Sequence, residues 1–254
     1  MRQNRRVPRQ IFLLLPPSEG KAPGGQPSTR WAAGQGAFGK ALGKQRSEIA
    51  TVLAERNGGD AALLGVKGAH LERALASNRK LRGSATLPAA ERYTGVVWDH
   101  LDLASLSVSQ RRAAVDHIIV VSGLMGAVLA SDPVPDYRLK MSARLAPMGT
   151  LSKWWHDNVS TAINSHCRQH IVIDLLPNEH RAAFVANEEL LHLYARVDLM
   201  TPTGKAGGHD AKAAKGQLAR HLLINAKAID DAKSLNAVLR KFAHQHYRCV
   251  TNVN

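Results

Sequence analysis

Near the N-terminus, Pro16-Pro17-Ser18-Glu19-Gly20-Lys21 gathers a hydroxyl, a carboxylate and an ammonium within a few positions. Such a set can hold an anion through Lys21, donate a hydrogen bond through Ser18 and move a proton through Glu19, while Gly20 permits close backbone approach. A second loop, Ser122-Gly123-Leu124-Met125-Gly126, suits backbone contact with a phosphate or a base. A third, Asn178-Glu179-His180, can cap a helix with Asn178 and place Glu179 in a cleft. Ser18, Glu19, Lys21, Tyr93 and Glu179 are therefore the candidate catalytic residues. Thr94, Ser122, Gly123, Tyr137, Arg138, Asn178, Lys212, Lys215 and Arg220 are the candidate ligand-binding residues. Each motif also has a plain structural reading: a turn with a solvated Glu–Lys pair, a strand-to-helix turn, and a helix cap.

Each of the three motifs follows an apolar run. Ile11 to Leu15, stopped by Pro16-Pro17, reads as a strand buried on both faces, and so do His117 to Val121 and His170 to Leu176. Leu190 to Met200 suggests a fourth strand, with a Pro202-Thr203-Gly204 turn after it. The Gly-, Pro- and Ser-rich stretch up to Gly43 predicts a long loop with a short helix. Two helices around Asn57-Gly58-Gly59 are expected between Ser47 and Leu81, and another near Leu106 to Ala114. Over 209–229, Leu218, Leu222, Ala226 and Ile229 form an apolar stripe beside a basic flank of His209, Lys212, Arg220 and Lys227. Strands alternating with helices imply an α/β fold: a single domain over 11–254 with a mixed or largely parallel central sheet flanked by helices, preceded by a basic arm, 1–10. Ligands in such sheets collect where strands end, which is where the three motifs fall.

Several familiar signatures do not fit. Gly34-Gln35-Gly36-Ala37-Phe38-Gly39 matches G-x-G-x-x-G, but a loop precedes it where a dinucleotide site needs a strand. Ser18 to Lys21 ends like a P-loop yet lacks its first glycine and the hydroxyl residue after the lysine. His166 and His170 have metal-ligand spacing for a helix, but His170 opens a strand. Trp154-Trp155, flanked by Lys153 and His156, and Tyr137-Arg138 with Lys140 interleave aromatics and cations as base-stacking platforms do.

Thirty-four Lys and Arg against twenty Asp and Glu give a formal charge of +14, which favours polyanions such as nucleic acid or nucleotides. The excess sits at the ends, with ten basic and four acidic side chains in 1–60 and nine and three in 201–254. Two cysteines without C-x-x-C spacing indicate a reducing compartment, and no cofactor is implied. The five apolar residues after Arg2, Arg5, Arg6 and Arg9 are too few for a signal peptide, and no apolar run spans a membrane. A cytoplasmic protein without a membrane partner is expected.

In order along the chain, Leu13 to Lys21, Tyr93-Thr94-Gly95, Ser122 to Gly126 with Asp132, Tyr137 to Met141, Trp154 or Trp155, Asn178-Glu179, and Lys212 to Gly216 with Arg220 resemble the YaaA family. The resemblance covers roughly residues 11–225. It implies an unusual α/β fold with a positively charged cleft, DNA binding through a helix-hairpin-helix-like element, and protection against peroxide and iron-linked oxidative damage. Here that element is expected to include Ser122 to Asp132. Met125 stands where relatives often carry an aromatic, the segment after Asn225 is shorter, and the Arg-rich arm is extra.

Two functions compete on these residues. One is a DNA-binding stress protein whose basic surfaces neutralise phosphates. The other is an enzyme acting on a nucleotide, nucleoside or nucleobase, at the base–sugar N-glycosidic bond. There Glu19 is general acid or base, Lys21 and Arg138 hold anions, and Ser122 and Tyr93 position the substrate. An iron-binding role has no ligand cluster in the spacing.

Overall fold

Five consecutive apolar side chains, Ile11–Leu15, have no polar face to give to water, so this strand (β1) is stable only between two others. In the computed structural model, which describes residues 9–201, 208–242, 244 and 246–253, β1 lies inside a six-stranded sheet. Its other strands are β2 (Ile118–Ser122), β3 (Gly126–Leu129), β4 (Ile171–Asp174), β5 (Leu193–Met200) and β6 (Arg248–Val253). The spatial order is β6-β5-β4-β1-β2-β3. β1 pairs in parallel with both β4 and β2, and β4 with β5, whereas β3 and β6 run antiparallel at the edges. The chain passes from β1 to β2 on one side and returns to β4 on the other. The strand order therefore reverses between β1 and β4, where side chains after both strands can reach a common crevice.

The expected single α/β domain is found, with one continuous hydrophobic core. Helices cover the sheet in two groups. Gly39–Glu55 packs on Gly68–Arg79 and on Leu151–His166, and Val96–Leu101 packs on His209–Ile224. Three local expectations need correction. The stretch up to Gly43 contains the Gln26–Arg30 strand, paired with Ala85–Pro88 in a small antiparallel sheet, and the Gly39–Glu55 helix already begins inside it. The helix expected over 209–229 stops at Ile224 and continues as a short 3-10 turn. Ser122 to Asp132 forms a strand hairpin, with Ser122 opposite Gly126, so a helix-hairpin-helix-like element is not placed there. The arm residues Arg2, Arg5 and Arg6, and the Pro202-Thr203-Gly204 turn, lie outside the described residues.

The Gly34–Gly39 loop shows why it is no dinucleotide site. The free backbone N–H of Ala37 is taken by both Asp132 carboxylate oxygens, at 3.0 and 3.1 Å. Behind it, fully buried Arg46 donates to the carbonyls of Ala33, Gln35, Met125 and Ala127 at 2.8–3.0 Å. A buried guanidinium is tolerated because its N–H groups find acceptors; leaving several carbonyls unsatisfied would cost about 1–3 kcal/mol each. Loop, helix and hairpin are thereby fixed to one another.

At the opposite end of β1, three imidazoles surround Phe12: His117, His166 and His170, with ring centroids 5.6, 5.3 and 5.7 Å away. Burial lowers each pKa below the usual 6.5, and the His170 charge adds to the effect on the other two. The folded protein thus prefers these rings neutral, and the unfolded chain binds more protons as pH falls. Stability should hold above pH 6.5 and decline below it, seen as a urea midpoint that drops between about pH 7 and about pH 5.5. An unchanged midpoint over that window would contradict this assignment.

Candidate functional site

The Pro16–Lys21 loop leaves the end of β1 and is immediately stapled from far away in sequence. Gly20 and Lys21 pair antiparallel with Thr94 and Tyr93, and Trp98 Nε1 donates to the Pro16 carbonyl at 3.3 Å. Gly95 has φ +120°, and a Cβ there would lie 2.8 Å from Ser18 Oγ. Only glycine lets Ser18 sit so close to this turn. The Tyr93-Thr94-Gly95 motif is thus the second wall of the first loop.

Below the ribbon lies a small set of buried hydroxyls. Tyr93 and Tyr137 share a 2.9 Å hydrogen bond between their phenols. The Ser122 hydroxyl bonds both, and burial raises both phenol pKa values. Ser122 is itself fully buried and also accepts from Met125 N, so it braces the phenols from beneath. Gly123 meets the backbone of Leu139 and Lys140 so closely that a Cβ would lie 2.7 Å from both carbonyl oxygens. Its own carbonyl accepts from buried Trp155 Nε1 at 2.9 Å. Trp155 is therefore a core residue, while Trp154 is only partly buried beside it.

Lys21 rests on this base. Its ammonium donates to the Ser18 carbonyl at 2.8 Å and stands 4.3 Å from the centre of the Tyr137 ring and 5.5 Å from that of Tyr93. Desolvation lowers its pKa to about 7; the Asp136 charge opposes the shift and the Arg138 charge assists it.

Above Lys21, Glu19 accepts from Arg138 at 2.7 Å and lies 3.2 Å from Lys140 Nζ. Partial burial works against the charge of Glu19, but these two cations outweigh it and lower the pKa. An ionised carboxylate suits a base or an electrostatic stabiliser better than a general acid. Arg138 is held from behind. Buried Asn78 accepts from Arg138 N at 2.9 Å and donates to the carbonyls of Arg138 and Gly58, at 2.8 and 3.0 Å, and Arg138 Nε donates to Leu64 O.

Glu179, in the short helix that follows β4, faces His180 Nε2 at 3.3 Å, and His180 Nδ1 meets the Val121 carbonyl at 2.9 Å. The His180 contact, then the Ser142 hydroxyl and the Lys140 charge, overcome burial and lower the Glu179 pKa to about 2. Lys140 thus acts on both carboxylates across the switch point between β1 and β4.

A separate network lies behind Glu179. Fully buried Asp174 accepts from Arg181 Nε, Tyr194 OH and Leu176 N, each at 2.7 Å. Arg181 also bonds Asn178 Oδ1 at 3.0 Å and Asp198 at 3.3 Å. Pro177, not Asn178, occupies the N-cap position of the short Asn178–Arg181 helix. Lys215 turns inward to the Leu175 carbonyl, and burial lowers its pKa to about 8, assisted by Arg181. Arg220 donates to the Leu101 and Asp102 carbonyls, and Lys212 is exposed. Ser18, Glu19, Lys21, Tyr93, Thr94, Ser122, Gly123, Tyr137, Arg138 and Glu179 therefore converge. Asn178 and Lys215 belong to the supporting network, and Lys212 and Arg220 make no contact with Glu19 or Lys21 among the described contacts.

Asn78 and Ser142 are site residues that the sequence did not single out, and Lys140 stood out only beside Tyr137 and Arg138 as part of a base-stacking pattern, not as a partner of Glu19. Lys140 had a signal: in an extended segment, Arg138 and Lys140 point to the same side. Asn78 had none, since nothing local marks a helix asparagine as the holder of a distant arginine. Among the described residues no group of three His, Cys, Asp or Glu side chains could hold a metal, and no helix is long and apolar enough to cross a membrane.

Asn78→Ala leaves buried backbone groups of Gly58 and Arg138 without partners. It should destabilise the fold by about 2–4 kcal/mol in urea unfolding. A loss under about 0.5 kcal/mol, the range of neutral surface changes, would rule out this positioning role.

A family model described as peroxide stress protein YaaA matches residues 11–251. A UPF0246 protein of Streptomyces coelicolor is 32% identical over 240 residues, covering 92% of this chain and 91% of that protein. A UPF0246 protein of Corynebacterium glutamicum is 29% identical over 235 residues, covering 90% and 91%. The match takes in β1, the stapled loop after it and the motifs that meet it at the strand ends: the chain belongs to the YaaA family, linked by name to peroxide stress.

Proposed function

We propose that this protein binds a phosphate-bearing nucleotide unit, free or within DNA, in the crevice between β1 and β4, and that this binding serves protection against peroxide stress. The observation that carries the reading is the placement of Arg138 and Lys140 at the switch point, both engaged by a carboxylate, Glu19, that remains largely exposed. An exposed carboxylate on a long side chain can yield its place to a phosphate, which then takes the same two cations in charge-assisted hydrogen bonds. Exposed Lys212 adds positive charge at a distance, where it can steer a polyanion.

Backbone phosphate binding releases counterions, so log affinity should fall by about 0.9 per log unit of salt for each phosphate contact. Measured by fluorescence anisotropy with a short duplex, Lys140→Ala should weaken binding and reduce that slope by about one contact. A salt-independent affinity, or an unaltered slope in the variant, would count against the reading.

A second reading, cleavage or formation of an N-glycosidic bond, is favoured by one observation: Glu19 and Glu179 are both stabilised as anions near the same crevice. Ionised carboxylates stabilise the positive charge that develops on a sugar as its base departs. Incubation with a panel of nucleotides and nucleosides should then release free base, and Glu19→Gln should slow release by about tenfold or more. No base release, or equal rates for both proteins, would remove this reading.

A further inference from the structure

Lys21 differs from the other cations of the site in its surroundings. Arg138 and Lys140 reach Glu19, whereas the Lys21 ammonium has a backbone carbonyl as its hydrogen-bond acceptor and two phenol rings beside it. Aromatic faces favour an ammonium, but they return only a small part of the hydration that an enclosed charge loses. The outcome is a pKa near 7, which leaves a large neutral fraction at neutral pH. A lysine in this state is a nucleophile more than an anion clamp. The residue is nonetheless partly open to solvent, on a loop whose Ser18, Glu19 and Gly20 are wholly or partly exposed.

We propose that Lys21 is a covalent capture site for a sugar aldehyde that carries a phosphate, its Nζ forming an imine with the aldehyde carbon while Arg138 and Lys140 hold the phosphate. The class includes the ring-opened deoxyribose of an abasic nucleotide in DNA and free pentose phosphates. The inference rests on the phosphate-binding reading above and specifies what that site receives. The neutral amine adds to the carbonyl carbon to give a carbinolamine. The nitrogen gives up two protons in all, the former carbonyl oxygen collects two, and it departs as water when the carbon–nitrogen double bond forms. Nothing is oxidised or reduced, and hydrolysis returns both partners. Ionised Glu19, whose charge acts on Lys21, is a nearby group able to relay these protons.

Borohydride reduction converts such an imine into a stable secondary amine, so the full chain can be incubated with reductant and either an abasic-site duplex or deoxyribose 5-phosphate, then digested and mapped by mass spectrometry. The expected result is an adduct on Lys21 with at least one of the two aldehydes, and a trapping rate that rises with pH through about 7. An adduct with the duplex alone assigns a nucleic-acid source, and one with the free sugar phosphate alone a small-molecule source. Lys21→Arg should reduce trapping at least tenfold, with circular dichroism showing whether the variant folds. Where it does not fold, adduct position and pH profile in the wild-type chain decide the matter. Adducts spread over surface lysines, no adduct with either aldehyde, or a folded Lys21→Arg that traps as well as wild type would overturn the proposal. If salt-dependent DNA binding persists in that case, the capture role alone is lost; if it is absent too, the phosphate-binding reading falls with it.

Discussion

An ammonium taken out of water must be compensated or lose its proton, and at the end of β1 the fold desolvates the Lys21 ammonium and, among the described contacts, gives it a carbonyl oxygen as hydrogen-bond acceptor. Much of the surrounding construction maintains that condition. The two-residue pairing of Gly20-Lys21 with Tyr93-Thr94 fixes the lysine backbone, and the bonded phenols of Tyr93 and Tyr137 form a dry floor over Ser122. Arg73, which bonds Asp136 and the Lys21 carbonyl, ties the outer side of the loop to the Gly68–Arg79 helix. Arg138 lies near enough to disfavour a second positive charge, yet is engaged by Glu19.

The large positive charge of the chain reads differently once its arginines are followed. Arg46 bonds four backbone carbonyls, and Arg92 bonds those of Ala22, Gly24 and Val134. Arg138 and Arg220 each place part of their fork on main-chain oxygens as well. The guanidinium offers five donors in a fixed plane, so it can tie loops that lack a partner strand. A good part of the excess basicity is therefore loop architecture, and the cations left for a polyanion are fewer than the net charge of +14 suggests.

The strands were legible because continuous apolar runs such as Ile11–Leu15 and residues 118–121 leave burial on both faces as the only stable outcome. The three strand-end motifs followed from them, since a parallel sheet brings the ends of β1, β2 and β4 to one edge. Gln26–Arg30 was hidden, because it is a proline among four polar residues, mostly exposed, and reads locally as loop. The start of the Gly39–Glu55 helix was hidden among glycines and lysines, and its fixed position depends on Arg46 and Asp132, contacts that reach from positions far along the chain. The same limit applies to the site. Ser18, Glu19 and Lys21 announce themselves by type, but the inward turn of Lys215 and the grip of Asn78 on Arg138 are properties of tertiary packing.

The stapled loop has a consequence in time. Lys21 leaves the ribosome early, yet Tyr93, Tyr137 and Arg138 follow it by many tens of residues, and the β4 loop that completes the crevice comes later still. Contacts so distant in sequence form slowly, after much of the chain is available. Until then Lys21 is an ordinary hydrated side chain, fully protonated at neutral pH. The depressed basicity of this amine is thus a property of the completed fold, acquired only once the distant contacts around it have formed.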